Sequence, residues 1–286
     1  MAFWSSAQHK ALEARSQEQV AAQGIDGRTS YFAGLLREDR PLRSIRRWTA
    51  LSIGRAARLL KEYLTPRYQS YADRRREGIS SDVPEVVRVL SQGYKRGLEW
   101  RGVPLGKTCF DIALYQQLIQ ELRPATIIEF GTGFGASTLY FADTCRALDL
   151  STRVVTLDIN GKDVDQQVLN HPDIDFIEGN AAEVARLLPE AQLATLPHPW
   201  LIVEDCHEHV SRIVQHLYPQ MAAGDYLAIE DLGHVEEWSK AIDASLNAVA
   251  DHQLLVDTHY TDLFGRNATC SPDSIFVKAP ETASVP

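Results

Sequence analysis

The sequence lacks several features that define large classes of proteins. No segment approaches the roughly 20 apolar residues that a membrane-spanning helix needs, so we expect no membrane contact. The four cysteines are far apart and form no Cys-x-x-Cys pair, which argues against a disulfide framework and a structural zinc site. The first residues show no basic region followed by an apolar segment, so we expect no signal peptide and a cytoplasmic protein.

The chain also lacks an excess of positive charge. Its 29 Lys and Arg against 38 Asp and Glu give a net charge of -9, which disfavours a nucleic-acid-binding protein. Basic residues nevertheless outnumber acidic ones about three to one between Arg37 and Arg76. We interpret this stretch as a solvated helical surface, or one that pairs with the acidic body of a neighbouring subunit in a homo-oligomer. An RNA or lipid contact is the alternative.

What is present is an alternation of strand-like and helix-like segments. It predicts an α/β fold with a doubly wound, mostly parallel sheet. The seven predicted strands are the run from Thr126, Arg153–Ile159, Asp173–Gly179, Trp200–Asp205, Asp225–Asp231, Gln253–Thr258 and Ser274–Lys278. No long helix separates the last two, so we expect them to form an antiparallel edge pair. Residues 1–84 show no strand pattern and are predicted to be a helical arm for packing or oligomerisation, with one domain over 85–286.

A glycine-rich turn follows the first predicted strand. Gly131, Gly133 and Gly135 have the spacing Gly-x-Gly-x-Gly, and Glu129 lies two residues before the first glycine. Strand, glycine turn and helix form the first unit of nucleotide-binding folds. This variant is more typical of S-adenosylmethionine (SAM) sites than of NAD sites, which disfavours a nicotinamide-dependent oxidoreductase.

Two further strand ends fit a bound nucleoside. Asp158 closes the second predicted strand, where an acid can accept hydrogen bonds from both ribose hydroxyls. Asn180 and Ala181 follow the third strand, and an amide beside a small residue suits the edge of an adenine ring.

Acidic residues end the next two strands. Asp205 ends the fourth, and Glu230 and Asp231 end the fifth. If these strands are neighbours, their ends lie about 5 Å apart, and unpaired acids at that distance repel. A divalent cation relieves this repulsion, and an all-oxygen set predicts Mg²⁺, or less favourably Ca²⁺. His207 and His209 leave a transition metal as the alternative.

Two motifs resemble the cephalosporin hydroxylase family of SAM-dependent O-methyltransferases. They are Trp100-x-Gly102-x-Pro104-x-x-Lys107-x-x-x-Asp111-x-x-x-Tyr115 and Pro124-x-x-Ile127-Ile128-Glu129-x-Gly131-Thr132. The resemblance spans roughly residues 86–278. The acidic strand ends are more distantly similar to the Mg²⁺ ligands of catechol O-methyltransferase, with Glu-Asp in place of Asp-Asn. The catalytic lysine of those enzymes corresponds here to Glu208, so their base does not transfer.

The resemblance implies a Mg²⁺-dependent O-methyltransferase that acts on a hydroxyl of a small molecule, such as a sugar or a natural-product scaffold. It implies that SAM lies across the three glycines, with its amino-acid end near Val103, Glu129 and Ser137. His207, and after it His234, are the candidate bases because both are close to strand ends and histidine titrates near neutrality. A non-catalytic, SAM-binding accessory subunit of a biosynthetic enzyme is the alternative function.

Overall fold

A mixed β-sheet forms the centre of the described part of the chain, with helices on both faces. The computed structural model describes residues 66–76, 78–231, 240, 243–244 and 254–280. The predicted helical arm before residue 66, the helix predicted over 235–250 and His234 lie wholly or mostly outside these residues.

The strands and helices are numbered in chain order. The strands are β1 Tyr68–Ser70, β2 Glu99–Trp100, β3 Val103–Pro104, β4 Thr126–Phe130, β5 Arg153–Asp158, β6 Ile174–Glu178, β7 Trp200–Glu204, β8 Tyr226–Ile229, β9 Leu254–Asp257 and β10 Ile275–Lys278. The helices are α1 Tyr71–Arg75, α2 Glu85–Ser91, α3 Cys109–Leu122, α4 Ala136–Ala147, α5 Gln166–Leu169, α6 Val184–Leu187, α7 Glu190–Leu193, α8 Val210–Leu217 and α9 Thr258–Thr261, with 3₁₀ turns at Ala181–Glu183 and Tyr218–Gln220.

Over the described residues the main sheet has eight strands, in the order β1-β9-β10-β8-β7-β4-β5-β6. Strands β4 to β8 pair in parallel, which confirms the predicted doubly wound α/β fold. The last two strands are antiparallel to each other as expected, but they are not an edge pair. Strand β10 also pairs with β8, and β9 also pairs with β1.

Strand β1 lies in residues 1–84, where we expected no strand. It has only three residues, too few for a clear alternation of apolar and polar side chains, and α1 follows it at once. Its register, Tyr68 opposite Asp257, adds it to the sheet beyond β9. The division into an arm and a domain at residue 84 stays a prediction.

The central strands are apolar because both of their faces are covered. All five residues of β4 are buried, and so are all five of β7. Successive side chains of β4 pack on opposite faces: Ile128 joins the cluster that contains Ile213 of α8, whereas Ile127 joins the cluster that contains Leu118 of α3. The strand ends are therefore held in place from both sides.

Two segments before β4 differ from the predicted pattern. Helix α2 ends at Ser91 rather than near Gly97, because Gly93 takes a φ of +109° and a Cβ there would lie 2.0 Å from the carbonyl oxygen of Arg96. The predicted loop around Trp100 contains the short antiparallel hairpin β2–β3. Among the helices of the described residues, none is both long enough and apolar enough to cross a membrane.

Candidate active site

The candidate site lies at the carboxyl ends of β4, β5, β7 and β8. The chain leaves β4 toward β5 on one side, and β7 pairs with β4 on the other side, so a crevice opens where the connections diverge. Gly131 donates its N–H to the carbonyl of Leu157 (2.8 Å), and Asp205 donates its N–H to the carbonyl of Phe130 (2.8 Å). The glycine turn and the acidic end of β7 are therefore adjacent.

The glycine turn needs glycine for two different reasons. At Gly131, φ is +96° and a Cβ would lie 2.6 Å from the carbonyl oxygen of Asp205. At Gly135, φ is +93° and a Cβ would lie 2.3 Å from Cγ2 of Val168. The turn thus packs against β7 at its start and against α5 at its end, and Gly135 begins helix α4.

Asp158 joins the glycine turn to the end of β5. Its Oδ2 accepts the N–H of Gly133 (2.8 Å) and its Oδ1 accepts the N–H of Asn160 (2.9 Å). Each carboxylate oxygen can accept more than one hydrogen bond, so this geometry leaves acceptor capacity for a ribose diol. Gly179 donates its N–H to the carbonyl of Asp158 (2.8 Å), which brings Asn180 and Ala181, the predicted adenine contacts, beside Asp158.

Glu129 makes contacts that the sequence did not indicate. Its side chain is fully buried and accepts hydrogen bonds from the hydroxyls of Ser137 (2.6 Å), Thr138 and Thr156 (2.7 Å). Burial raises the pKa of Glu129, and the hydroxyl donors oppose that change. Glu129 and Ser137, both predicted to contact the cofactor, thus bond to each other and tie β4 to α4 and β5. Val103 lies in the β2–β3 hairpin and is buried in the apolar core.

Asp205, His207 and Asp231 form a cluster of the size that holds a metal ion. One side-chain atom of each lies within 4.8 Å of those of the other two, and the described residues contain this one such cluster. Nε2 of His207 is 3.5 Å from Oδ1 of Asp205 and 3.3 Å from Oδ2 of Asp231. Burial disfavours the charged imidazole, but the two carboxylates outweigh it and raise the pKa of His207 to about 9.

Glu230, the third predicted metal ligand, has other partners in this structure. Its buried carboxylate accepts hydrogen bonds from Nζ of Lys107 (2.6 Å) and from the hydroxyl of Tyr115 (2.5 Å). The backbone turns at Asp231, whose φ is +57°, and the two neighbouring side chains have different partners after β8: Lys107 for Glu230 and His207 for Asp231. His207 stands where we expected Glu230, as the third member of the cluster.

Lys107 belongs to the first sequence motif, but the motif alone predicts no role for it. It is 4% exposed, and its ammonium lies 3.0 Å from Oδ2 of Asp205 and 2.6 Å from Oε2 of Glu230. Burial opposes its charge, but these two carboxylates raise the pKa of Lys107 well above its usual value. Conversely, burial raises the pKa of Asp205 to about 6 and that of Glu230 to about 7, against the influence of Lys107.

The Lys107, Asp111 and Tyr115 positions of the sequence motif converge here. Asp111 and Tyr115 lie four residues apart in α3, on the same helix face. Asp111 closes a capping box with Thr108 at the start of the helix. The four-residue spacing was the signal that could have predicted a shared site.

A second buried acid shapes the turn after β7. Glu204 is fully buried and accepts the backbone N–H groups of Cys206 (3.1 Å) and His207 (2.9 Å). Because these bonds hold the turn, Glu204 acts on the cluster through backbone rather than as a member of it. His207 has a φ of +60° in this turn. His209 begins helix α8, and it is not part of the metal-sized cluster found among the described residues.

The chain matches proteins of known classes over this region. A family model described as Rhamnosyl O-methyltransferase/CmcI matches residues 92–246, just over half of the chain. Curated proteins named rhamnosyl O-methyltransferase from Mycobacterium tuberculosis and Mycobacterium bovis are 32% identical over 156 residues, which is 51% of this chain and 63% of theirs. The corresponding Mycobacterium leprae protein is 33% identical over 136 residues, 46% of this chain and 59% of its own.

Solved structures show a similar fold over a larger share of the chain. A structure titled "CmcI-N160 apo-structure" has a TM-score of 0.57 at 20% identity and covers 70% of this chain and 87% of its own. One titled "cmcI-D160 Mg-SAM" has a TM-score of 0.55 at 19% identity and covers 78% and 95%. At these identities the likeness concerns the fold. Taken together with the family match over residues 92–246, it leads to one conclusion: the chain belongs to the Rhamnosyl O-methyltransferase/CmcI family.

Proposed function

We propose that this protein is a SAM-dependent O-methyltransferase that methylates a hydroxyl group of a small molecule, with a sugar as the favoured acceptor. One observation carries the proposal: a metal-sized acidic cluster lies directly against the glycine turn, since Asp205 reaches both. A methyl donor and an activated hydroxyl have to meet at such a junction. Family membership and the name of the mycobacterial relatives, rhamnosyl O-methyltransferase, support the same reaction and acceptor class.

The turn from Gly131 to Gly135 would hold the methyl donor. Asp158, which bonds to Gly133 in this turn, would bind the ribose diol, and Asn180 and Ala181 beside it would border the adenine. Glu129 fixes the start of α4 behind the turn, so it supports the donor site through Ser137. Methyl transfer from a sulfonium needs alignment of donor and acceptor more than covalent help, so the rigid packing of this turn serves the chemistry.

The residues of the acidic cluster fit a divalent cation. Without a cation, the repulsion between the two carboxylates is relieved by a protonated His207, whose pKa they raise. Asp205 and Asp231 would hold Mg²⁺ through their carboxylate oxygens, and the same oxygen ligands also admit Mn²⁺. When bound, the cation would supply positive charge that lowers the pKa of the substrate hydroxyl and of His207.

The remaining roles fall to side chains of the chain itself. His207 accepts the proton of the substrate hydroxyl, because its imidazole lies between the two aspartates that face the acceptor. Lys107 holds Asp205 and Glu230 in place, and its charge opposes the effect of burial, which favours their neutral forms. His234, the second candidate base, lies outside the described residues. Assembly as a homo-oligomer and a cytoplasmic location stay predictions.

The proposal is tested by separating donor binding from turnover. We expect Asp205→Asn to bind S-adenosylhomocysteine (SAH) like the wild type, by calorimetry, but to lose methyl transfer to a panel of rhamnosides, other glycosides and catechols. The exposed Asp149→Asn is the matched control and should keep both properties. EDTA should abolish turnover, and Mg²⁺ should restore it.

Three outcomes would count against the proposal. Full turnover in a metal-free preparation would contradict the role of the metal but would leave the proposed methyl transfer standing. Binding of SAH and Mg²⁺ without turnover on any acceptor would favour the accessory subunit. A complete lack of SAH binding would contradict the assignment of the donor site.

A further inference from the structure

A segment that precedes the catalytic motifs packs on a loop beside the acidic cluster. We call residues 67–76 and 78–82 the strap, and residues 262–273 the acceptor-side loop. Two hydrogen bonds join Asp82 of the strap to Arg266 of the loop. Asp82 donates its N–H to the carbonyl of Arg266 (2.9 Å), and its side-chain Oδ2 accepts the N–H of Arg266 (2.9 Å). The side chain of Asn267 donates to the carbonyl of Ser80 (2.9 Å). The two segments thus form one unit.

Arg74 is the centre of this contact. Its guanidinium is 6% exposed and donates to Oδ1 of Asp273 (2.6 Å) and to both carboxylate oxygens of Asp262 (2.8 and 3.0 Å). It also donates to Oδ1 of Asn267 (3.3 Å). These are four hydrogen bonds in a fixed planar geometry, more than the three donors of a lysine ammonium can make, so lysine cannot reproduce the contact.

The acceptor-side loop in turn holds Asp231. Cys270 is fixed by Asp111, whose Oδ1 accepts the N–H of Cys270 (2.9 Å) and the hydroxyl of Thr269 (2.7 Å). The carbonyl of Cys270 then accepts the N–H of Asp231 at 2.6 Å. Asp231 has a φ of +57°, a conformation that non-glycine residues adopt rarely and that its surroundings must maintain.

We propose that Arg74 is a positioning residue for the cation cluster: through the acceptor-side loop it fixes Asp231 at the distance at which it shares a cation with Asp205. The inference rests on the proposed metal role. Arg74 touches neither the cluster nor the donor site in the described residues, so its effect is transmitted by the loop backbone.

The test measures cation binding apart from catalysis. Wild type, Arg74→Lys and Arg74→Met are titrated with Mn²⁺ alone, and free Mn²⁺ is followed by electron paramagnetic resonance. We expect both variants to bind Mn²⁺ roughly 10-fold more weakly or worse, as for other residues that orient metal ligands. SAH affinity should stay at the wild-type value, because the donor site lies at β4 and β5.

A neighbour in the same helix supplies the control. Arg75 pairs with Asp243 (2.6 Å) rather than with the acceptor-side loop, so Arg75→Lys should bind Mn²⁺ like the wild type. Should Arg74→Met fail to fold, Arg74→Lys and Asp262→Asn still test the contact.

Three results would overturn the inference. The first is a folded Arg74→Lys with wild-type Mn²⁺ affinity. The second is an equal loss of Mn²⁺ and SAH binding, which indicates general destabilisation. The third is a wild-type protein that binds no Mn²⁺; this result removes the proposed metal role as well, and the wild-type titration alone identifies it.

Discussion

At the scale of single residues, Lys107 sets the charge balance of the site. Its buried ammonium contacts the partly exposed Asp205 and the buried Glu230, and replacing it by Met would leave both acids without their cation. We expect Lys107→Met to lower the free energy of unfolding by about 3–5 kcal/mol, the usual effect of breaking a buried ion pair. Urea unfolding in EDTA measures this, and the exposed Lys162→Met is the control. A wild-type stability for Lys107→Met would contradict the assignment.

The same acids predict a pH dependence of stability. Burial raises the pKa of Glu230 to about 7 in the folded protein, above the value of about 4.3 for an unfolded chain. Between these values the folded state binds more protons, so the free energy of unfolding falls as pH rises from about 4 to 7. We expect Glu230→Gln to flatten this slope in EDTA, as judged by urea unfolding at a series of pH values. The exposed Glu190→Gln should leave it unchanged, and an unaltered slope in Glu230→Gln would refute the prediction.

At the scale of elements, the approach of β7 to the glycine turn can be tested with a matched pair of glycines. Gly131 and Gly224 both have φ near +95°, at +96° and +93°, but a Cβ meets backbone only at Gly131. Alanine at either position costs about 1 kcal/mol for its conformation. The clash with Asp205 should add about 1–3 kcal/mol in Gly131→Ala alone.

Urea unfolding of both glycine variants measures the difference, and calorimetry with SAH measures its effect on the donor site. Gly131→Ala should also bind SAH more weakly, whereas Gly224→Ala should not. Equal stabilities of the two variants would show that the end of β7 moves away from the added methyl group without lowering the free energy of unfolding.

The elements differ in how far their sequence determined them. Strands β4, β5, β7 and β8 were predicted because each is a mainly apolar run with both faces covered, and such a run can be recognised from composition alone. The short β1 was missed because pairing with Asp257 and its neighbours, rather than local pattern, makes it a strand. Glu230 was assigned to the metal from its position at a strand end. The orientation of the Glu230 side chain depends on its hydrogen bonds with Lys107 and Tyr115, which are more than 100 residues away in sequence.

At the scale of the whole molecule, ligands should stabilise the fold by mass action. A ligand at 100 times its Kd adds about 2.7 kcal/mol to the free energy of unfolding. We expect SAH to raise the Tm of the wild type and of Asp205→Asn equally, and Mg²⁺ to raise only that of the wild type. Scanning calorimetry checks this. If Mg²⁺ still raises the Tm of Asp205→Asn, the cation binds at a different site.

The strap also determines where the chain can be shortened. A fragment that begins at residue 67 retains Arg67, whose guanidinium pairs with the buried Asp257, and retains the strand that covers the edge of β9. One that begins at residue 85 exposes that edge and leaves Asp273 without Arg74, and an uncovered strand edge invites association between copies. We expect light scattering to show a monodisperse longer fragment and an aggregating shorter one.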